Sequence, residues 1–132
     1  MFAVEVRDHI MIAHSLARPV FGPAQCMHVA TFVVDAAFFT SDLDENGLAV
    51  DIGLASEVLK DVLAPLNYKN LDTLEIFAGK VTTTEFLARH IFDRIADAIR
   101  NGRLGEGGSR IRKLRVMLHE SHTARGWFEA EL

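Results

Sequence analysis

The run HVATFVVDAAFFT, residues 28–40, constrains the fold more than any other segment. His28, Ala30, Phe32, Val34, Ala36 and Phe38 share one parity, so in an extended chain they occupy one face of a strand. Val29, Val33, Ala37 and Phe39 make the opposite face apolar too. A strand of this kind requires cover on both sides, so it belongs inside a larger sheet assembly. The chain's single cysteine, Cys26, lies two residues before His28. The pair is either a reactive thiol beside a metal ligand or an ordinary loop entering an ordinary strand.

Upstream, Ala3–Ala17 reads as extended, with Ile10, Ile12, His14 and Leu16 on one face. A loop follows over Arg18–Pro23, marked by Pro19, Gly22 and Pro23. Downstream, TSDLDENG is a turn. Leu54, Val58, Val62 and Leu66, with Ala55, Leu59 and Leu63 beside them, then predict an amphipathic helix ending near Pro65. After a loop to Val81, Thr82 and Glu85 are spaced as a capping box ahead of Phe86, Leu87, Ile91, Ile95 and Ile99, a second helix that stops at Asn101–Gly102. Leu114, Val116, Leu118 and Glu120 share a face of a third long strand, and TARGWFEAEL completes an antiparallel hairpin. The order β-β-α-α-β-β predicts one α+β domain over residues 1–132, a four-stranded antiparallel sheet with two helices on one face.

A net charge of −4 argues against a general nucleic-acid or anionic-membrane binder. The basic cluster Arg110, Arg112, Lys113, Arg115 has the spacing of a solvated strand face. One cysteine allows no internal disulfide, and no membrane span or signal peptide is visible, so a cytoplasmic protein is expected.

Three polar residues sit where apolar ones are expected. His14 and His28 lie on apolar faces of neighbouring strands, either as core residues satisfied by hydrogen bonds or as ligands. Glu120 is either paired or near the strand's open end, or it is a recognition carboxylate that accepts two parallel N–H bonds from a guanidine-like edge.

Together these elements resemble one family, the 6-pyruvoyl-tetrahydropterin and 6-carboxytetrahydropterin synthases, which have the tunnelling fold or T-fold. IAHSL resembles the family's Ala-Ala-His, with His14 at a zinc-ligand position. GLAVDI, leading through Asp51 into the first helix, is similar to Gly-Met-Val-Val-Asp-Phe. TTTEFLA resembles Pro-Thr-Ser-Glu-Asn-Leu-Ala. LHES resembles the segment bearing Glu-Thr, which puts Glu120 at the pterin-anchoring position with Thr83 and Thr84 beside it. The resemblance implies trimers stacked into hexamers, strands continuing between subunits into a β-barrel, and pockets between subunits.

The departures fall on the chemistry. The family's His-Gly-His becomes His28-Val29-Ala30, so the resemblance leaves His14 and His28 as remnant zinc positions, with Ala30 replacing the third. Two ligands should hold zinc weakly or not at all. Counting back from His28, the nucleophile position is Ala24, with Cys26 two residues late. In LNYKNLD, Asn67 and Tyr68 stand where the family has its proton-transferring Asp and His. The expectation is a zinc-less homologue that binds a pterin or related 2-amino-4-oxo heterocycle between subunits without the synthase reaction. The alternatives are altered, metal-independent lyase or isomerase chemistry on a pterin, using Tyr68 and a residual histidine, and a non-catalytic structural or interaction protein.

Overall fold

The computed structural model describes all 132 residues. Its long strands are β1 (Phe2–His14) and β2 (His28–Thr40). They are followed by α1 (Ile52–Leu63), the two-residue β3 (Lys69–Asn70), α2 (Thr84–Arg100), β4 (Ile111–His119) and β5 (Arg125–Glu131). The sheet order is β3-β1-β2-β4-β5. The expected antiparallel sheet is present over β1, β2, β4 and β5, and β3 adds a fifth strand, paired in parallel with Ile12 and Ala13. No propensity signal marks so short a strand. It forms because the turn after α1 is drawn against the edge of β1.

One sheet face packs against both helices. Ile10, Ile12, Phe32, Val34, Phe38, Leu114, Val116 and Leu118 meet Ala55, Val58, Leu59, Leu87, Ile91 and Ile95 in a single buried core. The even-numbered parity of β2 is therefore covered as expected. Its other parity faces no helix: Val29 and Thr31 are exposed, while Asp35 and Ala37 are buried among neighbouring side chains.

Asp51 caps α1, its Oδ1 accepting from the Leu54 amide at 3.0 Å. At α2 the cap is one residue later than the sequence predicts. Thr83, not Thr82, accepts from the Phe86 amide at 3.1 Å, so Thr82 and Glu85 do not form a capping box. β1 ends at His14 rather than Ala17, and Pro19–Gln25 winds as a 3-10 segment kinked at Gly22. The basic cluster is less solvated than its spacing predicts. Lys113 pairs with Glu129, Arg115 reaches Glu5 at 3.6 Å, both lie over the Phe39 ring, and only Arg112 stays free on the strand.

Two strand edges are open. β5 has no outer neighbour, and β1 is covered on its outer side only at Ile12 and Ala13.

Candidate functional site

His14 closes β1 and His28 opens β2, and the register sets them directly opposite each other. Their ring centroids are 4.6 Å apart at an interplanar angle of 62°. His14 is only 4% exposed, and its Nδ1 lies 3.0 Å from Thr82 Oγ1. His28 is half-buried, with Nδ1 2.9 Å from the Cys26 carbonyl oxygen. A carbonyl only accepts, so His28 Nδ1 carries the proton and, in the neutral ring, Nε2 keeps the lone pair. Burial, and then the neighbouring His28, hold His14 below the ordinary histidine range. Asp72, Thr82 and Glu120 act the other way.

Glu120 lies one residue beyond β4, exposed and without an ion pair, at the open end of the strand rather than in an enclosed apolar pocket of a single chain. Its Oε2 accepts a long bond, 3.4 Å, from the hydroxyl of Thr84. Thr84 is the buried first residue of α2, and Gly126 on β5 leaves room for it: a Cβ at position 126 would come within 3.2 Å of Thr84 Cγ2. His14, Thr82, Thr84 and Glu120 thus converge where β1, β4 and the start of α2 meet. Thr83 stands beside them with its hydroxyl committed to the helix cap.

Asn67 and Tyr68 are held for backbone reasons. The Met11 amide donates to Asn67 Oδ1 at 3.0 Å and the Tyr68 amide donates to the Met11 carbonyl at 2.7 Å, clipping the turn onto β1. Tyr68 takes a left-handed conformation, φ 60°, with its phenol 77% exposed. Asp72 accepts the Ser15 hydroxyl at 2.6 Å and the Ser15 amide at 3.0 Å. Ala24 contributes its carbonyl to the Leu16 amide at 3.0 Å, and the Cys26 thiol is free and exposed.

Sequence reasoning missed a second polar centre on the helix-free face. Asp35, 4% exposed, accepts from Arg7 Nε at 2.6 Å, Arg7 Nη2 at 2.9 Å and His119 Nε2 at 2.7 Å. The Arg7 bonds hold its carboxyl below the usual range against the opposing effect of burial, with His119 adding to them. The signal was available: Asp35 is the one carboxylate in an apolar strand, and a buried carboxylate requires partners.

The family model described as 6-pyruvoyl tetrahydropterin synthase matches residues 3–131. The chain belongs to the 6-pyruvoyl tetrahydropterin synthase family. Its fold is similar to that of the Caenorhabditis elegans 6-pyruvoyl tetrahydropterin synthase, with a TM-score of 0.81 at 20% identity over 98% of this chain and 95% of that one. The Plasmodium vivax 6-pyruvoyl tetrahydropterin synthase gives 0.78 at 13% identity, covering all of both chains. An uncharacterized protein from Wolinella succinogenes gives 0.64 at 11% identity over 96% and 97%. At these identities the likeness is one of fold. No curated protein matches the sequence.

Catalytic zinc normally takes three protein ligands, and members of this family would be expected to supply them as imidazoles. Here two imidazoles adjoin and Ala30 offers a methyl. No group of three or more His, Cys, Asp or Glu side chains is placed to hold a metal ion. The residues present do not make up that ligand set. No helix is long and apolar enough to cross a membrane.

Proposed function

We propose that this protein recognises a pterin or a related 2-amino-4-oxo heterocycle and does not carry out the synthase reaction of its family. The observation that carries the reading is Glu120: a carboxylate without an ion pair, at the mouth of the site, touched only by the Thr84 hydroxyl at 3.4 Å. A carboxylate in that condition has lone pairs free for the paired N–H groups of a 2-amino-4-oxo ring. Thr84 and Thr83 flank it. The same reading has zinc absent or weakly bound at His14 and His28. It has no nucleophile at Ala24 and no proton-transfer pair at Asn67 and Tyr68, whose backbone bonds already account for their places.

The pocket is completed between subunits of a homo-oligomer, a hexamer built from two trimers. In support, Glu120 is exposed in one chain, β1 and β5 have unpaired outer edges, and the helix-free face carries half-buried Phe39 and Met117. Strand pairing between copies would satisfy both edges and close a barrel. The protein acts in the cytoplasm, in keeping with its one free thiol.

The test is thermal unfolding of wild type and Glu120→Ala, with metal content recorded, against pterins and guanines. A ligand bound only by the folded state at about 100 times its Kd adds about 2.7 kcal/mol. A stabilisation by pterins that disappears in Glu120→Ala supports the reading. No response to any such ring sinks it, and turnover of a pterin by metal-free protein would replace it with altered chemistry.

A further inference from the structure

The turn joining β4 to β5 encloses a cavity of about 170 Å³ lined by His119, Ser121, His122, Thr123, Ala124 and Arg125. This is below the ~300–1,000 Å³ of sites that enclose a drug-sized molecule, so it suits an ion or one small end group. Its wall contains no carboxylate, although the chain carries 18 acidic residues against 14 Lys and Arg. Apart from Ala124, and from His119 whose ring N–H goes to Asp35, every side chain in that wall can donate a hydrogen bond.

The arrangement is built rather than incidental to a loose turn. The Glu120 and Ser121 amides both donate to the Ala124 carbonyl, at 3.1 and 3.2 Å. The Thr123 amide donates to Ser121 Oγ at 3.2 Å, and the two hydroxyls lie 3.2 Å apart. His119 and Arg125 face one another across the β4–β5 ladder. His119 forms one wall of the cavity and is fixed there by its Nε2, which donates to buried Asp35. Asp35 itself is engaged by two Arg7 bonds. The remaining nearby carboxylate, Glu120, accepts one long bond, 3.4 Å, from Thr84 of the helix α2, and does not line this cavity. Arg125 has no carboxylate within ion-pair distance, unlike Arg7, Arg89, Arg94, Arg100, Arg103, Arg110 and Arg115. A guanidinium without an anion, beside a cavity of hydroxyls and the His122 imidazole, is a receptor for a planar or tetrahedral oxyanion.

We propose that the β4–β5 turn is an oxyanion site, held by Arg125, His122 and the Ser121 and Thr123 hydroxyls, taking phosphate either free or as the end group of a monoester. The site adjoins Glu120 along the chain, but neither Glu120 nor Thr84 lines it, and it does not depend on pterin recognition.

Amide chemical-shift titrations of the intact protein with inorganic phosphate and with phenyl phosphate, at constant ionic strength set with chloride, test this. The expected result is a saturable response confined to residues 119–125. Affinity should fall at least tenfold in Arg125→Gln and be retained in Arg100→Gln, at the far end of α2. His122→Gln with Ser121→Ala provides a second, independent lesion should Arg125→Gln disturb folding. Response to phenyl phosphate with none to inorganic phosphate assigns the site to an end group, and the reverse assigns it to the free ion. A linear, non-saturating response, or equal affinity in Arg125→Gln and wild type, overturns the proposal.

Discussion

His14 and His28 stand directly opposite one another at the junction of β1 and β2, ring centroids 4.6 Å apart, each with Nδ1 beside an oxygen: the hydroxyl of Thr82 for one, the carbonyl of Cys26 for the other. Oxygen partners on the second nitrogen are how proteins fix an imidazole that ligates a metal. Two such rings adjoin here without a third donor.

Supplying a third donor should create a metal site. Ala30 is two residues along β2 from His28 and therefore on the same face. Ala30→His would place three imidazoles on one patch. We predict that Ala30→His binds zinc at about one equivalent after dialysis, with affinity raised at least ~10-fold, the low end of what supporting groups alone contribute to metal sites. Wild type should retain far less than one equivalent by elemental analysis. A stoichiometric, dialysis-resistant zinc in wild type would contradict the two-donor account.

The start of α2 separates what local sequence can say from what it cannot. Thr82, Thr83 and Thr84 are chemically alike, and the Thr82–Glu85 spacing favours a capping box. The fold uses all three differently: Thr82 meets His14, Thr83 caps the helix, and Thr84 meets Glu120. The choice is made by His14, 68 residues away in sequence, which no local pattern contains. Thr83→Ala should therefore cost about 1 kcal/mol, the usual value of an N-cap. Thr82→Val leaves a buried imidazole nitrogen unpaired and should cost about 1–3 kcal/mol. Glu85→Gln should cost no more than its favourable placement in the first turn, about 0.3–1 kcal/mol. Urea unfolding of the three variants checks the order.

The long strands, both helices and the hairpin were legible because each announces itself through period and punctuation over many residues. β2 stands out by apolar content on both parities, and α1 by its four-residue repeat closed at Pro65. Of the candidate site, the sequence pattern foresaw that His14 and His28 lie in neighbouring strands, and the structure sets them opposite each other. β3 escaped because two residues carry no periodicity and its pairing depends on Asn67 and Tyr68 clasping Met11. The Arg7–Asp35–His119 centre escaped because its members lie 28 and 84 residues apart and meet only when β1, β2 and β4 are in register. Glu120 was read one step too far into the strand, since β4 ends at His119.

The Asp35 centre should govern acid stability. Its folded-state pKa is depressed, above all by Arg7, so the stability it confers is fully present above the unfolded carboxylate pKa, about 3.9. As pH falls below that value the unfolded state takes up the proton first, and the contribution is lost progressively until the folded pKa is passed. At neutral pH, Arg7→Met should destabilise the fold, because it leaves Asp35 buried with His119 as its one remaining partner. Asp35→Asn should flatten the acid limb of the stability curve below about pH 4 relative to wild type. Denaturant unfolding across that window measures both, and an unchanged acid limb in Asp35→Asn would assign the loss to other carboxylates.

Gly126 should couple packing to recognition. β5 passes so close to the first turn of α2 that a methyl at position 126 would lie 3.2 Å from Thr84 Cγ2 and 3.5 Å from Glu85 Oε1. The Glu85 carboxylate is the end of a flexible side chain and can swing away, but Thr84 is β-branched, buried and in the helix, so it yields only if the turn shifts. Gly126→Val forces that shift. We expect a cost of about 1–3 kcal/mol, the range for overpacking a filled site. The same shift should displace the Thr84 hydroxyl from Glu120 and weaken binding of a 2-amino-4-oxo ring more than the stability loss alone would. Comparing Gly126→Val with Gly126→Ser, by unfolding and by ring-induced stabilisation, separates the two effects. If binding is untouched while stability falls, Thr84 supports the helix without shaping the pocket.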